Sequence, residues 1–175
     1  MGFQPQLEIL VSRDEIAKTV GRLAREINRD YRDREPLLIG VLKGSFVFMA
    51  DLVRHLNLPL QLDFVRLSSY GASGETSGEV RVVHGSRMRM EGRDVLVIED
   101  IVDTGITTSF LLDYLKKKKP ASLRLCALTD KPSRHRVPVS IDYLGLTLPN
   151  KFAVGYGLDF GENFRNLPDI CALGD

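Results

Sequence analysis

A chain of 175 residues, 43% apolar and 27% charged, has the length and balance of one soluble globular domain with a sizeable core. Its formal charge of +1 argues against a broad nucleic-acid surface, and no apolar run is long enough to cross a bilayer. Cys126 and Cys171 form no CxxC and have no histidine at ligand spacing, so both are expected to be buried thiols; with no signal-peptide pattern at the N-terminus, a cytoplasmic protein is expected.

The elements follow in chain order. Ser12 and Glu15 make a capping box, and Ile16, Val20, Leu23 and Ile27 form one apolar stripe, which predicts an opening helix. Leu37 to Leu42 reads as a buried strand, and Lys43-Gly44-Ser45 as a turn into a second helix over 46–56. A strand over 60–67 is followed by SSYGASGETSGE (68–79), whose glycines and serines predict a long loop of functional type. Val80 to Val83 is its far arm, and a four-residue strand is expected over 95–98. An apolar pattern of helical type over 110–115 ends in Lys116 to Lys119 and Pro120, ordinary stop signals. Strands are expected over 123–128, 141–146 and 153–156. Strands alternating with helices predict an α/β fold with a mostly parallel sheet and a ligand at its carboxyl edge.

The most informative run is VLVIEDIVDTGITT (95–108). A buried strand ends in Glu99 and Asp100, then Asp103, Thr104 and Gly105 make a turn with hydroxyls at Thr107 and Thr108. Backbone N–H groups and the positive end of a helix dipole would hold a phosphate there. Carboxylates so near an anion are not there for its sake. The acidic pair suits the vicinal hydroxyls of an attached ribose or a bound metal, and Asp103 could reach back toward the sugar's anomeric carbon. One capping residue would be unremarkable, but three carboxylates and two threonines around one glycine turn indicate a site.

This run resembles the phosphoribosyl-pyrophosphate signature of the type I phosphoribosyltransferases. LKGSFVFMADL (42–52), Ser69-Tyr70, LTDKPSR (128–134) and LPNKFAVGYGLDFGENFRNLP (148–168) extend the likeness to the hypoxanthine-guanine phosphoribosyltransferase family over residues 9 to 171. The resemblance implies a single phosphoribosyltransferase domain over 1–175. Its core would be a twisted sheet flanked by helices over about 37–150, with a hood made from the N-terminal segment and about 151–175. It implies Mg²⁺-dependent transfer of a 5-phosphoribosyl group from phosphoribosyl pyrophosphate to N9 of hypoxanthine or guanine, releasing pyrophosphate.

The same resemblance implies roles for particular residues. Glu99 and Asp100 would hold the ribose hydroxyls directly or through metal-bound water, and Asp103, Thr104, Gly105, Ile106 and Thr107 the 5′-phosphate. Leu42, Lys43 and Gly44 would form a pyrophosphate turn whose Leu42–Lys43 peptide is cis, with Arg165 reaching the same group. Asp159 would lie near a second Mg²⁺, so that Glu99, Asp100 and Asp159 are the implied metal carboxylates. Lys131 would donate to the purine O6, Phe152 would stack on the base, and the backbone of Ala153 would pair with it, although a larger aliphatic is expected at that position. Asp103 would face purine N7 as proton acceptor or hydrogen-bond partner. Ser69 and Tyr70 would belong to a mobile lid. The implied partners are small molecules, without nucleic acid or membrane, in a homodimer or homotetramer for which 42–52 is a candidate interface. A regulatory relative that binds RNA through Lys116–Lys119 and Arg87, Arg89 and Arg93 would show erosion at Lys43, Lys131, Phe152, Asp159 and Arg165. None of these is eroded.

Overall fold

The strand-forming sequences assemble into two sheets in the computed structural model, which describes residues 6–70 and 79–174. In chain order these are β1 (Leu7–Val11), α1 (Arg13–Asp30), β2 (Leu37–Leu42), α2 (Phe46–Val53), β3 (Gln61–Tyr70), β4 (Glu79–His84) and β5 (Asp94–Val102). They continue with α3 (Ile106–Lys116), β6 (Ser122–Asp130), a 3₁₀ turn at Pro132–Arg134, β7 (Tyr143–Thr147), β8 (Ala153–Val154) and β9 (Ile170–Leu173). The larger sheet has the order β4-β3-β2-β5-β6-β7, parallel from β3 to β7 with β4 antiparallel at the edge.

Continuous apolar strands such as LLIGVL in β2 form because both faces of the sheet are covered. On one face, Ile16 and Leu23 of α1 and Phe48, Met49 and Leu52 of α2 pack over Leu38, Leu96 and Ile98. On the other, Leu111 and Leu115 of α3 pack over Leu37, Ile39, Val95, Val97 and Leu125. The predicted capping box starts α1: Ser12 Oγ accepts the Glu15 N–H at 3.4 Å, and Glu15 Oε2 accepts the Ser12 N–H at 3.0 Å.

The chain leaves β2 through α2 toward β3 on one side, and leaves β5 through α3 toward β6 on the other. The sheet therefore has its topological switch point between β2 and β5, where an open α/β sheet leaves a crevice at the carboxyl ends of the strands. The crevice is visible in the register. β2 and β5 pair only as far as Gly40 and Ile98; beyond them β2 turns away, while β5 runs on to Val102 beside Asp130 of β6.

The smaller sheet, β1-β9-β8, is antiparallel. Asp169, just before β9, accepts the Arg13 backbone N–H at 2.7 Å and its guanidinium at 3.1 Å, joining the two ends of the chain. The segment between β8 and β9 reaches back to the larger sheet: the Tyr156 hydroxyl donates to Asp51 of α2 at 2.5 Å.

Several expected boundaries move. β5 runs to Val102, so Glu99 and Asp100 lie inside a strand rather than at its end. α3 begins at Ile106, four residues before the apolar pattern becomes legible, because Gly105 and the two threonines supply the start. β3 and β4 extend into the expected loop, so Ser69 and Tyr70 are strand residues and Glu79 begins β4; residues 71–78 lie outside the described residues. α2 stops at Val53, and β7 spans 143–147. The expected strand over 153–156 is only β8, and it pairs in the small sheet with β9. β1 and β9 were not legible, being short and without clear alternation.

Replacing Ser12 by Ala removes the cap of α1. A loss of about 1 kcal/mol is expected, read by calorimetry as a melting temperature lower by about 2–4 °C for a chain of this size, with helical circular dichroism retained.

Candidate active site

At the carboxyl end of β5 the chain makes the turn on which α3 begins. Gly105 has φ +80°, and a Cβ there would lie 2.4 Å from the Val137 carbonyl oxygen, so glycine is required twice over. The turn is braced from outside: the Thr104 carbonyl accepts the Arg136 and Val137 N–H groups at 2.9 and 3.2 Å. Ile106, Thr107 and Thr108 form the first helical turn, where backbone N–H groups lack intrahelical acceptors and the dipole is positive. The Ser109 N–H is the first to bond back, to the Gly105 carbonyl at 2.8 Å. Such a turn holds a phosphate.

Glu99 and Asp100 are only 6% and 8% exposed. Neither carboxylate forms an ion pair among the described residues. Burial first, then the charge of Asp100, pushes Glu99 well above the usual carboxylate range. Asp100 is also raised by burial, against hydrogen bonds from Glu99 and from the backbone N–H groups of Asp100 and Ile101, and against the charge of Arg165. Both carboxyls therefore hold their protons to higher pH than an exposed carboxylate does. The Asp100 carboxylate also explains the second glycine: a Cβ on Gly44 would lie 1.7 Å from Asp100 Oδ2. The turn after β2 and the end of β5 can meet only because Gly44 has no side chain. The Leu42–Lys43 peptide in that turn is cis.

Lys43, Gly44, Asp100 and Asp103 line a cleft of 290 Å³. Lys131, Phe152, Ala153, Asp159 and Arg165 line it with them. Lys131 is buried at the end of β6. Its Nζ donates to the Lys151 carbonyl at 2.7 Å, and burial lowers its pKa while Asp103 opposes that shift. Phe152 is 55% exposed despite being an aromatic in an apolar stretch, and its ring meets that of Phe160 edge to face at 5.6 Å. Ala153 is buried in the core beneath them, so the missing larger aliphatic leaves no side chain in the cleft wall beyond a methyl.

Arg165 Nη1 donates to the Gly157 carbonyl at 2.7 Å and Nη2 pairs with Asp159 at 2.8 Å. Asp159 shares the cleft with Asp100 but is engaged by Arg165, and among the described residues no group of three or more His, Cys, Asp or Glu could hold a metal by itself. The implied trio of metal carboxylates is therefore not assembled by the protein alone. Ser69 and Tyr70 close β3 beside β4; the rest of the expected lid lies outside the described residues.

Sequence reasoning missed four contributors. Arg134 pairs with Asp103 and also donates to Asn150 at 3.2 Å, tying the phosphate turn to the loop that carries Phe152. His135 meets the buried carboxylate of Asp130 at 2.7 Å and so braces the turn around Lys131. Phe160 and Glu162 face the cleft region from the β8–β9 segment. The signal for Arg134 and His135 was their place within three or four residues of Lys131. Nothing in the sequence announced which side chains they would meet.

The chain belongs to the phosphoribosyltransferase family: the family model for the phosphoribosyl transferase domain matches residues 7–161. Among its relatives is the hypoxanthine-guanine phosphoribosyltransferase of Bacillus subtilis, 45% identical over 166 residues that cover 95% of this chain and 92% of that one. The bifunctional protein TilS/HprT of Listeria monocytogenes is 46% identical over 95% of this chain, which spans only 26% of that longer relative. A solved hypoxanthine-guanine phosphoribosyltransferase of Bacillus anthracis superposes with a TM-score of 0.92 at 41% identity, covering 98% of this chain and 100% of that one. The fold is accordingly that of a type I phosphoribosyltransferase.

The acidic pair has a measurable cost. Burial raises Glu99 above its ordinary value of 4.5 in the native state, so stability falls as pH rises through the raised native value. Glu99→Gln removes the ionisation and keeps a hydrogen-bond donor. At pH 8 it is expected to melt about 2–4 °C higher than the parent protein, the effect of ~1 kcal/mol of buried-charge penalty, with the gap narrowing toward pH 5. Equal melting temperatures at both pH values would overturn the raised native value.

Proposed function

We propose that this protein is a 6-oxopurine phosphoribosyltransferase of purine salvage. It transfers the 5-phosphoribosyl group of phosphoribosyl pyrophosphate to N9 of hypoxanthine or guanine, giving the nucleotide and pyrophosphate. One observation carries the reading: a single 290 Å³ cleft at the switch point is lined by Asp100 of the acidic pair, Asp103 at the head of the glycine turn, the cations Lys43 and Arg165, and a wall of Lys131 and Phe152. The close likeness to enzymes named for this activity supports it.

The chemistry asks for a broken C1′–O bond, whose electron pair leaves with pyrophosphate, and a new bond from purine N9 to C1′. The sugar passes through an oxocarbenium-like state, so the barrier falls where charge on sugar and leaving group is stabilised. The turn from Asp103 to Thr107 holds the 5′-phosphate. Glu99 and Asp100 take the ribose hydroxyls. Lys43, the Gly44 backbone and Arg165 receive the pyrophosphate, for which a guanidinium has suitable geometry. Lys131 presents a donor where a 6-oxo purine offers an acceptor and a 6-amino purine brings a second donor. Phe152 and Phe160 provide exposed ring faces and edges against which a base can stack. Arg134 holds Asp103 beside the base, where the carboxylate accepts the proton or the hydrogen bond of the purine imidazole.

Mg²⁺ suits this site. The donors are all oxygen, and the buried Glu99–Asp100 pair lacks a paired cation among the described residues, which a divalent ion sharing ligands with the substrate's own oxygens relieves. When bound, Mg²⁺ would be held by Glu99 and Asp100 on the ribose side, with Asp159 beside a second ion, and would neutralise charge on the diphosphate.

For the assembly we propose self-association through α2. Phe46 is half-exposed at the edge of a 640 Å³ groove lined also by Val20, Val47, Leu167 and Pro168, next to the Lys43 turn. A second copy covering this face would also buttress that turn. Phe46→Glu is expected to shift sedimentation to the monomer; an unchanged oligomer would move the interface elsewhere.

Steady-state assays with phosphoribosyl pyrophosphate, Mg²⁺ and each of hypoxanthine, guanine, xanthine and adenine test the main reading. Turnover with hypoxanthine or guanine and none with adenine is expected. Inactivity with every 6-oxopurine would sink the proposal, and adenine as best substrate would sink the role of Lys131. Asp103→Asn is expected to lower kcat by ~10²-fold if Asp103 takes the proton, the usual contribution of a positioned base. An unchanged kcat would leave it a positioning residue.

A further inference from the structure

The two cations assigned to pyrophosphate are already bridged by a carboxylate of the protein. One oxygen of Glu162, Oε2, lies 2.8 Å from Lys43 Nζ and 3.3 Å from Arg165 Nη2. A single oxygen shared by an ammonium and a guanidinium is the arrangement a diphosphate oxygen would adopt between the same two groups. Lys43 comes from the turn after β2, whereas Arg165 and Glu162 come from the segment between β8 and β9. The bridge therefore spans the mouth of the cleft and links the two sheets.

Two features separate this bridge from an ordinary structural ion pair. Glu162 is 63% exposed, so its attraction for the cations is screened by water and it is easily displaced. Yet its position is built. Its backbone has φ +67°, in the left-handed region that a glutamate rarely adopts, and its N–H donates to Asp159 Oδ2 at 2.9 Å. Paired bonds between Phe160 and Asn163, at 3.2 and 3.1 Å, close the same tight turn. The backbone is pinned on a neighbour of Arg165 while the carboxylate stays wet. Contact with Lys43 and Arg165 holds Glu162 below the usual carboxylate range, so it is anionic whenever the enzyme works.

Charge makes the consequence concrete. Lys43 and Arg165 carry two positive charges, which face the carboxylates of Asp159 and Glu162. Moving Glu162 aside removes one negative charge from between the two cations and so favours a diphosphate there.

We propose that Glu162 is a displaceable internal ligand of the pyrophosphate subsite. It occupies Lys43 and Arg165 in the free enzyme, yields to the diphosphate of the substrate, and competes for the same cations as pyrophosphate departs. It thereby weakens the hold on a polyanionic product without weakening the hold on the purine. The inference rests on the assignment of Lys43 and Arg165 to pyrophosphate made above.

The test is calorimetric titration of inorganic pyrophosphate, with Mg²⁺, into the full-length protein and its Glu162→Gln variant, followed by stopped-flow release of pyrophosphate. Glutamine keeps the size and removes the charge. The variant is expected to bind pyrophosphate about three- to tenfold more tightly, the scale set by exposed ion pairs, and to release it more slowly. Binding of IMP, which lacks the diphosphate, should stay within about twofold. Damage to the turn could only weaken pyrophosphate binding, so tightening is a readout that a merely structural role does not produce. Unchanged or weaker binding overturns the proposal. Lys43→Gln and Arg165→Gln separate the two layers of inference: if both weaken pyrophosphate and Glu162→Gln does not tighten it, only the role of Glu162 fails. If neither weakens it, the pyrophosphate assignment fails, and the role of Glu162 with it.

Discussion

Two carboxylates on adjacent residues inside a buried strand are the constraint around which this protein is arranged. Ionising both in a low-dielectric interior is costly, and burial raises both above the usual carboxylate range. Everything nearby accommodates the pair. Gly44 gives up its side chain to Asp100, Thr129 donates to the Asp100 carbonyl at 2.8 Å, and β2 stops pairing with β5 before the carboxylates are reached.

The cleft that results is a junction of two sheets. The parallel sheet supplies the phosphate turn, the acidic pair and the buried Lys131, all on strand ends whose positions are fixed by ladder hydrogen bonds and core packing. The antiparallel sheet supplies Phe152 from the residue before β8, and Asp159 and Arg165 from the excursion between β8 and β9. It is seated on the larger sheet by a shared apolar core, in which Ala153, Tyr156, Leu158 and Ile170 join Phe48, Leu52 and Ile98, and by polar contacts of Tyr156 with Asp51 and Glu162 with Lys43.

Local patterns were legible wherever one residue type has one physical use. Ser12 with Glu15 announced the start of α1, and the apolar run before Glu99 announced β5. Gly105 among threonines and acids announced the turn from β5 into α3. Boundaries failed where tertiary pairing overrode composition: polar Ser68, Ser69 and Tyr70 extend β3 because β4 is there to pair with them. α3 begins before its apolar face does, because packing starts at Thr108 and Leu111. β9 carries only four residues and was invisible without its partners β1 and β8.

By itself, then, the sequence determined the class of fold, the place of the glycine turn that opens α3 and the identity of nearly every polar group in the cleft. Those features are encoded by periodicity, glycine positions and short runs of adjacent residues. Only the tertiary structure decided how those groups are paired. Arg134 stands on Asp103, Asp159 turns to Arg165 rather than to Glu99 and Asp100, and Glu162 spans from Arg165 to Lys43, 119 residues away in the chain. Such pairings depend on where two sheets meet and on which backbone positions are left-handed, and no local pattern records either.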